Sequence, residues 1–212
     1  MSATHRDPVP GQGPGTAPDA GALAAHVSAR RARCGPTRVV CVDGPAGSGK
    51  TTVARALAAA LPGDVAVVHL DDLYQGWEQP LGEPLARRIE AWLLLAWEAG
   101  LPGRHLRYDW AEERFTGWVD VPCADVVILE GCGSAAALVR RRAAAVIWVQ
   151  APADDRLRRG IARDGAALAG HWSRWQQHEA AHFAADATRD AATLLVDGLT
   201  GQVRSGPALG EG

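Results

Sequence analysis

The feature that most constrains this chain is a glycine-rich loop set between an apolar run and a helical pattern. Residues 44–51 read GPAGSGKT, which fits the pattern G-x-x-x-x-G-K-[ST] of a phosphate-binding loop. The run VVCVD before the loop is typical of a strand buried on both faces, and KTTVARALAAAL after it has apolar residues at helical spacing. Strand, loop and helix in this order predict the nucleus of a parallel α/β fold.

Each residue type in this loop has a mechanical role in phosphate binding. Glycines permit backbone angles that turn N–H groups inward, and the start of the helix adds a favourable field for anions. Lys50 is expected to reach the β- and γ-phosphates, and the Thr51 hydroxyl to ligate Mg²⁺. The loop therefore predicts ATP and Mg²⁺ as cofactors, with GTP left open. The expected nucleotide-binding residues are Gly44, Ala46, Gly47, Ser48, Gly49, Lys50, Thr51 and Thr52.

Lys50 is the only lysine in the chain, so all other members of the 22 Lys and Arg residues are arginines. An arginine fork is planar and wide, and it suits bidentate contacts better than a narrow loop between phosphates. We therefore predict that the loop requires a narrow cation at this position; the alternative is a chance placement. The lack of a second lysine also excludes the Asn-Lys-x-Asp motif of GTPases.

Outside the loop, short apolar runs alternate with helical patterns. This alternation predicts an α/β three-layer sandwich, in which helices cover both faces of a mostly parallel five-stranded sheet. The five predicted strands lie in TRVVCVD, VAVVHL, ADVVILEG, AAVIWVQ and ATLLVDG. The stretch RHLRYDWAEERFTGWVDVP interrupts the alternation and predicts an irregular or hairpin insertion at about 101–122.

Length and composition predict one domain with two flexible ends. We expect a disordered tail over 1–18, a single domain over 19–200 and a flexible tail over 201–212, because both ends are rich in Gly and Pro. A formal net charge of -2 argues against binding to nucleic acid or anionic membranes by bulk charge. No apolar run reaches the roughly 18 residues that a membrane span needs. The four cysteines have no C-x-x-C spacing, which favours reduced thiols and a cytoplasmic protein.

Two predicted strands end in acidic residues. Asp71 and Asp72 follow VAVVHL, and Glu130 follows ADVVIL. The carboxyl ends of parallel strands meet at the ligand-binding edge of a sheet. There Asp71 could take a proton from a substrate hydroxyl, while Asp72 and Glu130 could hold Mg²⁺ through water. Glu130 could instead form a hydrogen bond with the substrate. The alternatives are turn formation with helix capping for the two aspartates and a solvated strand end for Glu130.

These motifs together resemble the uridine kinase branch of the nucleoside kinase and phosphoribulokinase superfamily. The resemblance covers the chain from about Arg38 to Gly198. It implies a P-loop kinase fold with a substrate-side insertion and an arginine-containing lid at about 154–170. It also implies that Asp71 is the catalytic base and that Tyr74 faces the base or sugar of a substrate. The segments that carry the resemblance are DGPAGSGKTT, HLDDLY, DVVILEG, DDRLRRGIARD and LLVDG.

The chain departs from this family on the acceptor side. The segment YDW, which begins at Tyr108, is similar to the family's Tyr-Asp-Phe segment. Five residues later the family has a histidine that contacts the base, where this chain has Glu113. His171 stands where the family has a glutamine that touches the base. Tyr108, Glu113 and His171 are therefore predicted substrate contacts, and the two departures leave the identity of the acceptor open.

The predicted lid carries Arg159 and Arg163, which are four residues apart and share one face of a helix. Both could point into one anionic site, and the resemblance implies that such arginines close over the transferring phosphoryl group. The alternative is a solvated helix whose arginines pair with neighbouring aspartates. With Lys50 and Asp71, these two arginines complete the predicted catalytic set.

The sequence thus predicts a phosphotransferase that moves the γ-phosphoryl group of ATP to a hydroxyl of a small metabolite, with a nucleoside as the first choice. Two alternatives stay open: a kinase for a nucleoside monophosphate or another metabolite, and a nucleotide-binding ATPase or switch protein without a small acceptor. The only partner expected is the small-molecule acceptor, with neither nucleic acid nor membrane. A homo-oligomer is left open.

Overall fold

The computed structural model of the chain describes residues 17–78, 80–165 and 168–209. The predicted N-terminal tail falls outside these residues except at positions 17 and 18, and so do the last three residues of the predicted C-terminal tail. No helix in the described ranges has both the length and the apolar character to cross a bilayer.

Eight strands and seven α-helices make up the described fold. The strands are β1 (Arg38–Asp43), β2 (Val65–His69), β3 (Gly103–Asp109), β4 (Arg114–Val121), β5 (Val126–Glu130), β6 (Ala143–Gln150), β7 (Leu194–Asp197) and β8 (Val203–Ser205). The helices are α1 (Ala20–Ser28), α2 (Lys50–Ala60), α3 (Glu83–Ile89), α4 (Leu95–Glu98), α5 (Ala137–Arg140), α6 (Ala153–Asp164) and α7 (Ala169–Asp186). A π-helical turn, Glu90–Leu94, joins α3 to α4 without a break.

The central sheet has six strands in the order β2-β5-β1-β6-β7-β8, all parallel except β8. The predicted count of five strands misses β8. This strand pairs antiparallel with β7, and it lies inside the segment predicted as a flexible tail. That prediction is wrong for Val203–Ser205. The segment GQVRSG has little apolar character. Backbone pairing with Leu194–Val196 holds the strand, and Val203 packs against one of the two cores.

Alternate residues of the parallel strands enter two separate cores, which confirms the three-layer sandwich. On one face Val40 and Val42 of β1 pack with the apolar residues of α1 and α2. On the other face Val39 and Cys41 pack with the helices from α3 to α5 and with α7. Strands buried on both faces read as continuous apolar runs, which is why the sequence showed no period-two alternation.

The segment predicted as an insertion forms the antiparallel hairpin β3–β4 beside the sheet. Phe115 of this hairpin packs edge-on against Trp92 of the π-helical turn, with ring centroids 5.6 Å apart. Trp118 is 49% exposed, and the Arg104 guanidinium lies 4.3 Å from its ring centroid. The turn of the hairpin reaches the edge of the sheet that carries the phosphate loop, because the Trp110 indole donates a hydrogen bond to the chain just after β2.

Candidate functional site

The phosphate loop connects the end of β1 to the start of α2, as predicted. Gly44, Gly47 and Gly49 have φ values of 137°, 77° and 103°, which favour glycine. A side chain at Gly44 would also come within 2.0 Å of the Val149 carbonyl oxygen. The first N–H groups of α2 have no intrahelical partner, so they remain available to an anion held by the loop.

Asp43 anchors this loop, and the sequence reasoning missed it. Its carboxylate is fully buried and accepts hydrogen bonds from the backbone N–H groups of Gly44, Gly133 and Ala135 at 2.7, 2.9 and 2.7 Å. Burial raises the pKa of Asp43 to about 6, although the three N–H donors and Lys50 act in the opposite direction. Asp43 thus ties the phosphate loop to the segment after β5. Its position as the last residue of the apolar run VVCVD was the available signal.

Lys50 is buried within the loop. Its Nζ donates to the Pro45 carbonyl at 3.0 Å and lies 3.5 Å from the Cys132 sulfur. Burial disfavours the charged form, but Cys132, Glu130 and other acidic groups around it outweigh that effect and raise the pKa of Lys50. Lys50 is therefore a charged side chain in a confined space, and the requirement for a narrow cation stays a prediction.

Glu130 connects the loop to the strand edge. Its Oε1 accepts a hydrogen bond from the Thr51 hydroxyl at 3.2 Å, and its Oε2 accepts from His69 Nδ1 at 2.8 Å. Thr51 and Glu130 bring hard oxygen atoms together, which is the donor set that Mg²⁺ prefers. In the described part of the chain no group of three or more His, Cys, Asp or Glu side chains could hold a metal ion. Mg²⁺ usually binds through one or two protein ligands and substrate phosphates, so these two residues fit it.

The contact between His69 and Glu130 predicts a pH dependence of stability. The hydrogen bond to Glu130 raises the pKa of His69 above its ordinary 6.5. The contribution of this pair to the free energy of unfolding is therefore fully present below about pH 6.5 and is lost as the pH rises through the folded-state pKa. Denaturant unfolding of the wild type and His69→Gln should differ most at acid pH and converge as the pH rises. A difference that grows with pH would contradict this assignment.

The two aspartates after β2 lie in a short 3-10 turn and have different surroundings. Asp71 is accessible to solvent, and the Trp110 indole N–H donates to its backbone carbonyl at 3.1 Å. Desolvation of the carboxylate and the charge of Glu130 raise the pKa of Asp71, whereas the positive charges of Arg163 and Lys50 lower it. Asp72 instead pairs with Arg107 of β3 at 3.4 Å, which fastens the hairpin to this turn. The metal role of Asp72 stays a prediction without a supporting contact.

Tyr108 and His171, two of the predicted acceptor contacts, belong to one aromatic cluster around Trp77. The Trp77 ring packs against Trp110, His171 and Trp175, at centroid distances of 5.0, 5.1 and 5.8 Å. Tyr108 joins the cluster through Trp110, 5.3 Å away. This cluster, which we call the Trp77 cluster, lies against the turn that carries Asp71.

Two predicted acceptor contacts do not face an open site. Tyr74 is 1% exposed, and its hydroxyl donates to the Cys132 carbonyl at 3.0 Å, so in this conformation the ring belongs to the core. Glu113 is exposed in the turn of the hairpin, where it has a φ of 49°. A hairpin turn that needs a left-handed residue explains this position without a ligand. Sequence spacing could not show that the hairpin carries Tyr108 inward and Glu113 outward.

The lid arginines divide into two groups. Arg159 donates to the Gly47 and Gly198 carbonyls at 3.3 and 3.2 Å, so it contacts the phosphate loop directly. Arg163 makes two hydrogen bonds to Asp164, at 2.8 and 3.0 Å, but its charge still acts on Asp71. Arg156, which was not among the predicted site residues, donates to the Ala46 carbonyl at 3.3 Å and to Glu179 at 2.5 Å.

Gly198, just after β7, packs closely against the backbone of the phosphate loop. A Cβ at Gly198 would lie 1.7 Å from the Ser48 carbonyl oxygen, so the loop would have to move. We predict that Gly198→Ala lowers the free energy of unfolding by about 3 kcal/mol, the upper range for overpacking. Denaturant unfolding tests this, with Gly117→Ala on the hairpin as the control, because a Cβ there meets nothing within 4 Å. Equal stability of the two variants would contradict the prediction.

The phosphate loop lies between a strand and a helix, and the lid helix contacts it. Acidic residues stand at the ends of neighbouring strands. These features define a P-loop nucleotide-binding protein of the α/β class. The protein family described as "AAA domain" matches residues 40–169, more than half of the chain. The chain belongs to this family.

Solved structures with the same fold include two kinases. The chain is similar to a possible uridine kinase from Bacillus stearothermophilus, with 18% identity and a TM-score of 0.63, over 83% of this chain and 96% of the other. It is also similar to a putative fructose transport system kinase from Silicibacter sp. TM1040, with 19% identity and a TM-score of 0.52, over 79% and 95% of the two chains. A comparison with curated proteins found no match. The predicted P-loop kinase fold is thereby confirmed.

Proposed function

We propose that this protein is a Mg²⁺-dependent phosphotransferase that moves the γ-phosphoryl group of ATP to a hydroxyl of a small metabolite, with a nucleoside as the first candidate. One observation carries the proposal: the exposed residue Asp71 follows β2 at the edge of the sheet, where the charges of Glu130, Arg163 and Lys50 act on its carboxylate.

The loop and lid residues supply binding and orientation for the nucleotide. The N–H groups at the start of α2 and the charge of Lys50 would bind the phosphates, and Arg159 would hold the loop in shape through the Gly47 carbonyl. Thr51 and Glu130 would hold Mg²⁺, which when bound neutralises phosphate charge. Phosphoryl transfer of this kind depends on positioning and electrostatics and needs no covalent intermediate.

Asp71 would orient the acceptor hydroxyl and accept its proton. A raised pKa brings a carboxylic acid closer to neutral pH, where general bases are most effective. The positive charges of Arg163 and Lys50 favour the ionised carboxylate of Asp71 before the acceptor hydroxyl binds. The proton would pass from the acceptor oxygen to an Asp71 oxygen as the new oxygen–phosphorus bond forms.

The Trp77 cluster would form the apolar wall of the acceptor site. It lies against the Asp71 turn through the Trp110 indole, and its rings offer flat surfaces to a ring-containing acceptor. The names of the two structurally similar proteins, a possible uridine kinase and a putative fructose transport system kinase, support a small-molecule acceptor for this fold. The four cysteines are free thiols, which supports a reducing, cytoplasmic compartment.

A panel assay tests the proposed function. The protein is incubated with ATP, Mg²⁺ and separate nucleosides, nucleoside monophosphates, sugars and small alcohols, while ADP release and product mass are recorded. We expect ADP release that depends on one acceptor class and a product heavier by one phosphoryl group. Acceptor-independent hydrolysis without a phosphorylated product would contradict the proposal and favour the ATPase or switch alternative.

A further inference from the structure

Glu179 of α7 lies at the phosphate loop and has no role in the proposed transfer. Its side chain is 3% exposed, and its Oε2 accepts a hydrogen bond from the Ala46 N–H at 2.7 Å. Ala46 is the third residue of GPAGSGKT, so a protein carboxylate occupies a backbone donor of the loop. Carboxylate and phosphate oxygens are both strong acceptors for such N–H groups.

The positive charge that balances Glu179 comes from the lid helix. Arg156 Nη1 lies 2.5 Å from Glu179 Oε1 and 3.3 Å from the Ala46 carbonyl oxygen. The Arg156 Nε is buried and has no hydrogen-bond partner in the described part of the chain. Arg156 therefore neutralises the buried Glu179 carboxylate, while its own Nε stays a donor without an acceptor among the described residues.

Glu179 also lies close to the loop lysine. The Cys132 sulfur is 3.7 Å from Glu179 Oε2 and 3.5 Å from Lys50 Nζ, so the carboxylate and the ammonium group flank one sulfur atom. An incoming γ-phosphoryl group held by Lys50 would bring a second negative charge next to this buried carboxylate. Like charges that share donors in a buried site cannot both be stabilised.

We propose that Glu179 is an internal anion that occupies the phosphate loop in the absence of nucleotide and is displaced by the γ-phosphoryl group of a nucleoside triphosphate. On displacement, the Ala46 N–H and Arg156 transfer from the carboxylate to the phosphoryl oxygens. Glu179 then determines how strongly the protein distinguishes a nucleoside triphosphate from a diphosphate. The inference rests on the proposed function only in placing a nucleotide in this loop.

The test compares nucleotide affinities of the wild type and Glu179→Gln by calorimetry, with Mg²⁺ and either a non-hydrolysable ATP analogue or ADP. Glutamine keeps the shape and one acceptor for Ala46 but removes the charge. We expect the Kd of the ATP analogue to fall by at least about tenfold, and that of ADP to change by less than about threefold. Arg158→Gln is the control on the lid helix α6, because Arg158 is exposed and pairs only with Asp155 among the described residues. Its affinities for the ATP analogue and for ADP should both stay unchanged.

A second variant keeps the test valid if Glu179→Gln does not fold. Glu179→Asp retains the negative charge for Arg156 but moves the carboxylate away from the Ala46 N–H. We therefore expect the Kd of the ATP analogue to fall by less than in Glu179→Gln, and the Kd of ADP to stay unchanged. Equal changes for the ATP analogue and ADP, or weaker binding of the analogue, in the folded variants would overturn the proposal. Phosphoryl transfer plays no part in these affinity measurements. A failed acceptor assay would contradict the proposed function, whereas unaltered nucleotide discrimination would contradict only the inference on Glu179.

Discussion

Asp71→Asn is expected to lower turnover by at least roughly 10²-fold, the scale for loss of a general base, while the affinity for ATP stays nearly unchanged. Asparagine has almost the same shape, so the 3-10 turn and the hydrogen bond from Trp110 to the backbone carbonyl should persist. An amide cannot accept the proton of the acceptor hydroxyl at neutral pH. The change therefore removes one chemical step and leaves the fold intact.

The measurement is turnover with the acceptor found in the panel assay, together with the Kd of a non-hydrolysable ATP analogue. Asp120→Asn is the matched control, because Asp120 is 86% exposed on the hairpin. Its turnover should equal that of the wild type. Unchanged turnover in Asp71→Asn would remove Asp71 from the proposed reaction, and a large rise in the Kd of the analogue would show that Asp71 acts on nucleotide binding instead.

Lys50→Arg is expected to lower kcat/KM by roughly 10²- to 10³-fold, the scale for losing one aligned charge-stabilising donor. The Lys50 side chain is 7% exposed, and its ammonium lies 3.0 Å from the Pro45 carbonyl and 3.5 Å from the Cys132 sulfur. A planar guanidinium is too wide for this space without movement of the loop. Conservation of charge therefore does not conserve function at this position.

Arg158→Lys provides the reciprocal control, because it makes the opposite exchange at an exposed position of the lid helix. Circular dichroism and unfolding curves should show that both variants are folded. A fully active Lys50→Arg variant would mean that the single lysine of this chain is a coincidence of composition.

Local sequence order was sufficient to predict the phosphate loop and the layered fold. The motif alone predicted the positions of Gly44, Lys50 and Thr51. The backbone angles of the loop and the reach of its side chains depend on adjacent residues. The parallel strands were visible because burial on both faces requires continuous apolar runs. Strand β8 was not visible, because Val203–Ser205 is held by backbone pairing and not by an apolar pattern.

The candidate site could be predicted only in part. Asp71 and Glu130 could be predicted as neighbours because each follows or ends a strand, and the sheet itself brings strand ends together. Tyr74 and Glu113 were predicted from the family resemblance, but one side chain is buried in the core and the other is exposed on the hairpin turn. Side-chain direction in a hairpin depends on its register and packing, and a resemblance in the order of motifs does not specify these.

The sequence by itself determined the phosphate loop, the α/β layers and the acidic strand ends, because these follow from local backbone preferences and the pattern of apolar residues. Only the tertiary structure decided which distant charges meet at the loop. Arg156 and Glu179 are 23 residues apart in the chain, and Glu179 is 133 residues from Ala46. Their contact depends on how α6 and α7 pack against the end of the sheet, and no local pattern of residues records that packing.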